Sequence, residues 1–414
     1  MHRSWLVPLL SGLLAVVIVT GVVAVATHDS RPSAAPTRPT TTTGPAPSTT
    51  STTAAPATTS TTVAAAPAPG SVEAFVPVAE KFVEQHRGLT FKQPVPVTVL
   101  DDAAFRKKLA ADDTPDDPAE IQKSQKDLRA LGLIPPGLDL AKTENELLGG
   151  AVSGFYDSKA KALFVRGVAA TPYVREVIVH ELTHAVQDQY FGLDRPGLTN
   201  RDDEAFDGFQ ALYEGDAERV RGEYHDSLPA SQQAASDQEE QTQANGISPD
   251  IPPVLGELSD FPYEFGPRFT QALVQAGGLK RLDAAFTNPP TTTEQIIHPA
   301  KFLAGEGPKP VTAPAADGTS FDAGVLGELG LEVTLLSAVG HGLTTNQVAV
   351  AVAGWGGDRY VAWEQSGQSC LRDNIVMDTR KDSDELLSAL RAWAGTRKGV
   401  TVTGSGPITV TACA

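Results

Sequence analysis

Residues Val177–Phe191 read VIVHELTHAVQDQYF, with two histidines four apart and a glutamate directly after the first. On a helix, His180 and His184 fall one turn apart on a single face, so both imidazoles can meet one metal ion. Glu181 stands beside that face, where a carboxylate can take a proton from a water polarised by the metal. Two histidines buried only for packing would need hydrogen-bond partners and would leave the glutamate without a reason.

A hydrolytic zinc takes three protein ligands and keeps a fourth position for water or substrate. A third histidine placed by a Gly-x-x-His continuation of the motif is ruled out, because Gln187 and Tyr190 occupy those places. His225 and His298 are distant candidates. The segment ALYEGDAERV offers carboxylates at Glu214, Asp216 and Glu218. Phe206, Phe209, Tyr213, Ala217, Val220 and Tyr224 form the apolar face of a helix expected over Asp203–Tyr224. Glu214 lies at one edge of that face and can reach inward, while Asp216 lies at the opposite edge as its rival.

HELTH followed by Glu214-Gly215-Asp216-Ala217-Glu218 resembles the gluzincin branch of zinc metallopeptidases. The resemblance implies Zn2+ as cofactor, His180, His184 and Glu214 as its ligands, and Glu181 as general base. It implies that Glu218 supports a ligand histidine and that Gly215 lets two helices approach closely. It also implies an α+β zincin-like domain, with an antiparallel edge hairpin before the motif helix. There the edge strand, KALFVRG, would take a peptide substrate as an added strand. An oxyanion donor is expected downstream, from Tyr263 in FPYEFGPRF or His298 in PPTTTEQIIHP. Thr291 and Glu294 have the spacing of a capping box for a short helix ending at His298-Pro299.

Other elements must position these residues. Helical spacing in VEAFVPVAEKFVEQHRG, a strand in VPVTVL and helices in DDAAFRKKLAA and PAEIQKSQKDLRALGL fill residues 71–150. A catalytic core spans 151–320. It begins with a hairpin turning at Asp157-Ser158-Lys159-Ala160, and Thr171-Pro172 then start the motif helix. The polar stretch Ala230–Gly246 reads as a mobile loop, and helical signals resume at FGPRFTQALVQAGGLKRLDAAF. Residues 321–414 mix helices at Leu326–Val339 and Asp384–Trp393 with strands such as RYVAWEQ. Gly356-Gly357 reads as a structural turn.

At the N-terminus, WLVPLLSGLLAVVIVTGVVAVA runs without a charge over nearly the length of a membrane span. Residues 1–27 are therefore expected to be an uncleaved transmembrane anchor, or a signal cut after Ala24-Val25-Ala26. The first places the folded part outside a cell membrane, and the second secretes it. Residues 28–70 are almost wholly Thr, Ser, Ala and Pro, the composition of a disordered spacer. Cys370 and Cys413 are the only cysteines, too few for a thiolate metal cluster, and export would make them a disulfide pair. A net charge of −17 argues against nucleic acid as a partner. The expected activity is metal-assisted hydrolysis of peptide bonds in a peptide or protein. A hydrolase acting on a cell-envelope amide or ester, and a non-catalytic envelope scaffold, remain as other readings. The scaffold reading leaves Glu181 without a purpose.

Overall fold

The computed structural model of the chain describes residues 14–15, 68–112, 118–199 and 203–414. Among these residues β1 (Leu14–Ala15) is followed by α1 (Val72–Arg87), β2 (Val97–Leu100), α2 (Asp102–Asp112), α3 (Pro118–Ala130) and α4 (Leu140–Ala151). The hairpin of β3 (Gly154–Asp157) and β4 (Ala162–Arg166) leads into α5 (Pro172–Phe191). Next come α6 (Pro196–Thr199), α7 (Asp203–Ser227), α8 (Ala230–Ala244), α9 (Pro253–Gly277), α10 (Leu279–Thr287), α11 (Thr293–Ile297) and α12 (Pro299–Ala304). The C-terminal part holds β5 (Thr319–Gly324), α13 (Gly327–Leu336), α14 (Thr345–Val352), β6 (Trp355–Gln365) and β7 (Gln368–Met377). It closes with α15 (Arg380–Gly395), β8 (Val400–Gly404) and β9 (Ile408–Cys413).

The fold is thus mixed α+β, as expected, with two sheets. One is a five-stranded antiparallel sheet in the order β5-β6-β7-β9-β8. The other runs β1-β3-β4-β2, antiparallel except for the parallel pair β2 and β4. That order corrects the expectation for KALFVRG. Val97–Leu100 pairs with Leu163–Arg166, so β4 is bonded on both sides and is no edge.

Around α5 the chain closes on every side. Thr171 caps its first turn by accepting the Val174 N–H, Pro172 fits the position after the cap, and Gly192 ends it at φ 69°. Every residue from Glu176 to Asp188 is buried, the mark of a helix at the centre of a domain. The hairpin lies against it so closely that a Cβ on Gly154 would stand 2.9 Å from Val177. Tyr156 ties the two together by donating its hydroxyl to Asp188 at 2.8 Å.

Three further expectations change. Ala230–Ala244 is the helix α8 rather than a mobile loop. Its Ala, Gln and Glu residues are good helix formers without an apolar stripe, and it docks through polar bonds instead. Arg221 meets Glu240 at 2.8 Å, and Ser153 donates to Gln243 at 2.8 Å. Helix α9 begins at Pro253, ahead of Phe265 where helical signals resume in the sequence, and runs through Pro262 and Pro267. Gly356-Gly357 is no turn but the start of β6, where the register shifts in a bulge and the Lys309 backbone crosses close to Gly357.

The transmembrane anchor, and with it the single-pass membrane location, is also corrected. Among the described residues no helix is long and apolar enough to cross a membrane. Leu14–Ala15, from within the expected span, are extended and pair with β3. The rest of that span, and the Thr/Pro-rich spacer up to Pro67, lie outside the described residues. Cys370 and Cys413 form a disulfide, and face each other across β7 and β9.

Within the antiparallel sheet, Asp358 accepts N–H bonds from Leu326, Gly327 and the Trp355 indole. Asp373 faces it, and burial together with the Asp358 charge pushes the Asp373 carboxyl well above the usual carboxylate range. With its partner's oxygens already occupied, Asp373 is the one that keeps a proton. The unfolded chain loses that proton near the ordinary carboxylate value, so this pair's contribution is full below that pH. It falls away as pH rises toward the folded value. Asp373→Asn supplies an N–H without a titration. It should raise the thermal midpoint at neutral pH and leave it unchanged at acid pH. Thermal unfolding at both pH values checks this, and a lower neutral midpoint would contradict it.

Candidate metal centre

Helix α5 supplies His180, Glu181 and His184, and α7 crosses beside it to supply Glu214. His180 Nε2 lies 3.1 Å from Glu214 Oε2, His184 Nε2 lies 3.3 Å from the same oxygen, and the two Nε2 atoms are 2.8 Å apart. All three side chains are buried. Atoms held about 2.0–2.1 Å from one tetrahedral zinc stand about 3.3 Å apart, so the set converges at the spacing one cation requires. Glu214 Oε1 is buried with no hydrogen-bond partner, a further sign that the carboxylate is placed for a ligand. His180, His184 and Glu214 are the residues, among those described, whose donor atoms cluster in this way.

The surroundings settle the rivalry between the acids. Asp216 points away from the imidazoles to Arg87, whose Nε donates to it at 2.5 Å, and to Arg219 at 2.9 Å. Burial would push the Asp216 carboxyl up, but the two guanidinium groups outweigh it and hold it below the usual range. Glu218 Oε1 sits 2.8 Å from His180 Nδ1, on the side of the ring opposite Glu214. Burial alone would raise the Glu218 carboxyl, yet Arg221 and His180 bring it down to about 2. His180 shows the counterpart. Burial pulls the imidazolium down, but Glu214 and Glu218 hold it up at about 10. Glu214 is raised by burial and lowered further by His184 and His180, so it stays charged.

Glu181 is held differently. Its Oε2 accepts the Tyr156 backbone N–H at 2.7 Å, while Oε1 is buried without a partner. Burial pushes its carboxyl well above the usual range, and the charges of Glu214 and Glu218 add to that. Hairpin β3–β4 therefore orients the candidate base through a main-chain bond, a role the sequence pattern did not reveal.

Helix α9 brings Tyr263 to the site, its ring centroid 6.4 Å from that of His180. It can do so because Gly215 of α7 and Gly266 of α9 leave their backbones in contact, and a Cβ on Gly215 would overlap the Gly266 carbonyl. Thr270 fastens the crossing by donating its hydroxyl to the Gly215 carbonyl at 3.1 Å. His298 has another engagement. It ends α11, whose cap is Thr292 rather than Thr291, and its Nε2 lies 2.9 Å from buried Glu328. His225, the other distant histidine, pairs with Glu176 at 2.9 Å. Gln187 and Arg87 were not foreseen as site residues. Gln187 follows His184 by three positions, a spacing that places it on the same helix face.

A model of a domain of unknown function, DUF8575, matches residues 316–412. That region contains the five-stranded antiparallel sheet except for Cys413, the last residue of β9, and excludes the candidate metal centre. Comparison with curated proteins and with solved structures gives no match.

Two outcomes follow from the geometry. Equilibrated with Zn2+, the chain should take up one equivalent, and Glu214→Ala should weaken binding by about 100-fold or more while His225→Ala leaves it unchanged. Atomic absorption after dialysis against a buffered zinc series reads this. Full binding in Glu214→Ala would move the third ligand elsewhere. Gly215→Ala should force α9 off α7 at the upper end of about 1–3 kcal/mol, read as a lower thermal midpoint. A neutral effect would mean that the helix contact is slack.

Proposed function

We propose that the chain is a zinc-dependent peptidase, a zincin-like hydrolase that cleaves peptide bonds with Glu181 as general base. One observation carries the reading. A buried His/His/Glu set converges beside a second buried carboxylate that is held by a backbone N–H and has one oxygen unengaged. A site built only to bind zinc structurally takes four protein ligands and has no use for that extra carboxylate. A zinc ion held by His180, His184 and Glu214 would supply Lewis acidity toward a scissile carbonyl and toward an attacking water.

The chain's own groups do the rest. The Glu181 carboxyl is pushed upward by burial, which makes it a stronger base and then a serviceable acid. It takes the proton of the attacking water and returns it to the departing nitrogen as the C–N bond breaks. Glu218 holds the His180 ring from behind, and the charge it shares with Arg221 stays out of the reaction. Tyr263 is the candidate donor to the carbonyl oxygen as charge develops there, because its ring lies alongside His180. His298 is the weaker candidate, since its Nε2 is already paired with Glu328. The substrate is a peptide or protein, and the Cys370–Cys413 disulfide supports action in an oxidising compartment.

Glu181→Gln keeps an oxygen to accept the Tyr156 N–H, so it should bind zinc as wild type does. It should lower hydrolysis by about 10²–10⁴-fold. Labelled casein and cell-wall fragments, each incubated with wild type and variant, provide the measurement. Cleavage of wall fragments alone would replace the peptidase reading with an envelope hydrolase. A wild type that binds zinc but hydrolyses neither would favour a scaffold.

A further inference from the structure

His184 owes its orientation to a chain of buried groups that begins on α1, far from the motif in sequence. Its Nδ1 lies 3.1 Å from Gln187 Oε1. The Gln187 amide nitrogen donates to the Tyr213 carbonyl and to Asp216 Oδ2, both at 3.0 Å. Asp216 is in turn gripped by Arg87 and Arg219. Arg87 is wholly buried, reaches Asp283 at 2.7 Å with its other arm, and lies against the stacked pair of Phe191 and Phe286 rings.

We infer that the buried Arg87–Asp216 pair is a positioning device, which sets the tautomer of His184 through Gln187. The logic is one of donors and acceptors. An amide nitrogen can only donate, and here it has two acceptors, Asp216 and the Tyr213 carbonyl. The amide cannot flip without setting its oxygen against both of them. Its oxygen must therefore face His184, and an oxygen can only accept, so His184 carries its proton on Nδ1. The Nε2 lone pair is then left facing Glu214 and His180, where a metal would sit. Removing the Asp216 charge frees the amide to turn over, and a turned amide would present N–H to His184 and favour the wrong tautomer. The two ligand histidines are thus supported unequally, His180 by the carboxylate of Glu218 and His184 by a neutral amide that a carboxylate holds in place. The same device enlists α1 and α10 in the metal centre, helices that offer it no ligand.

This inference rests on the zinc reading, and the experiment separates the two. Zinc affinity of the full-length chain is measured by competition with a chromophoric chelator, for wild type, Gln187→Met, Asp216→Asn and the double variant. The thermal midpoint of each metal-free protein is recorded alongside. Each single change should weaken zinc binding by about 10–100-fold. The double variant should match Gln187→Met within about twofold, because Asp216 acts on the metal only through the amide. A purely structural Asp216 would instead add its own loss on top. Wild-type affinity in either single variant, or additive losses in the double, would overturn the relay. If Asp216→Asn does not fold, Gln187→Met leaves the ion pair in place and decides alone, with unchanged affinity overturning the relay. Absence of zinc binding in wild type would overturn the metal reading itself, and the relay with it.

Discussion

Glu214 brings a carboxylate into the seam between α5 and α7, where water does not reach it. Stranding such a charge costs several kcal/mol unless opposite charge and hydrogen bonds surround it. The nearby arginines do not perform that task. Arg87 and Arg219 are committed to Asp216, and Arg221 to Glu218 and Glu240. Glu214 is left facing two imidazoles, and its second oxygen has no partner. The acids around the motif are therefore not one solvated patch but a sorted set, each with its own neighbour. That sorting turns three carboxylates in a short stretch of α7 into one candidate ligand, one ring support and one orienting charge, and leaves Glu181 of α5 as the candidate base.

The tightness of the seam propagates outward. Because Gly215 and Gly266 let α7 and α9 touch at the backbone, Tyr263 is carried to the edge of the histidine pair. At the other end of α7, Glu204 accepts the Thr293 N–H at 2.8 Å, and the Thr293 hydroxyl is bonded to it as well. A Cβ on Gly327 would collide with that same carboxylate, so α13 enters directly against α7. Asp358 of β6 then caps the start of α13 from the antiparallel sheet. The region matching DUF8575 is thereby joined to the helix that carries Glu214 by a short run of buried polar contacts.

Much of this was legible in the linear chain where chemistry and period coincide. HELTH on a capped helix, the hairpin before it and the helix bearing Glu214 all carry local signals, namely an N-cap, a turn and an apolar stripe. Failures came where the local signal and the packing part ways. Ala230–Ala244 is polar on every face, so no period announces a helix that is held by Arg221 and Ser153. Helical signals resume in the sequence only at Phe265, whereas α9 already begins at Pro253 and passes through Pro262 and Pro267. KALFVRG has the alternation of an edge strand, but a strand from far upstream pairs with its open side. The apolar N-terminal run has the length of a membrane span, whereas Leu14–Ala15 are extended.

The sequence by itself pointed to residues that could hold a metal, because ligand type and helical spacing are local properties. It also settled the choice of His180, His184 and Glu181 on one helix, and put Glu214 on another with an inward edge. Only the tertiary structure decided between Glu214 and Asp216, since that choice depends on which cation each carboxylate meets after the helices cross. It alone brought Arg87 to Asp216, Gln187 between Asp216 and His184, and the Tyr156 N–H to Glu181. Those contacts join residues far apart in the chain, and no period or composition encodes a distance across a core.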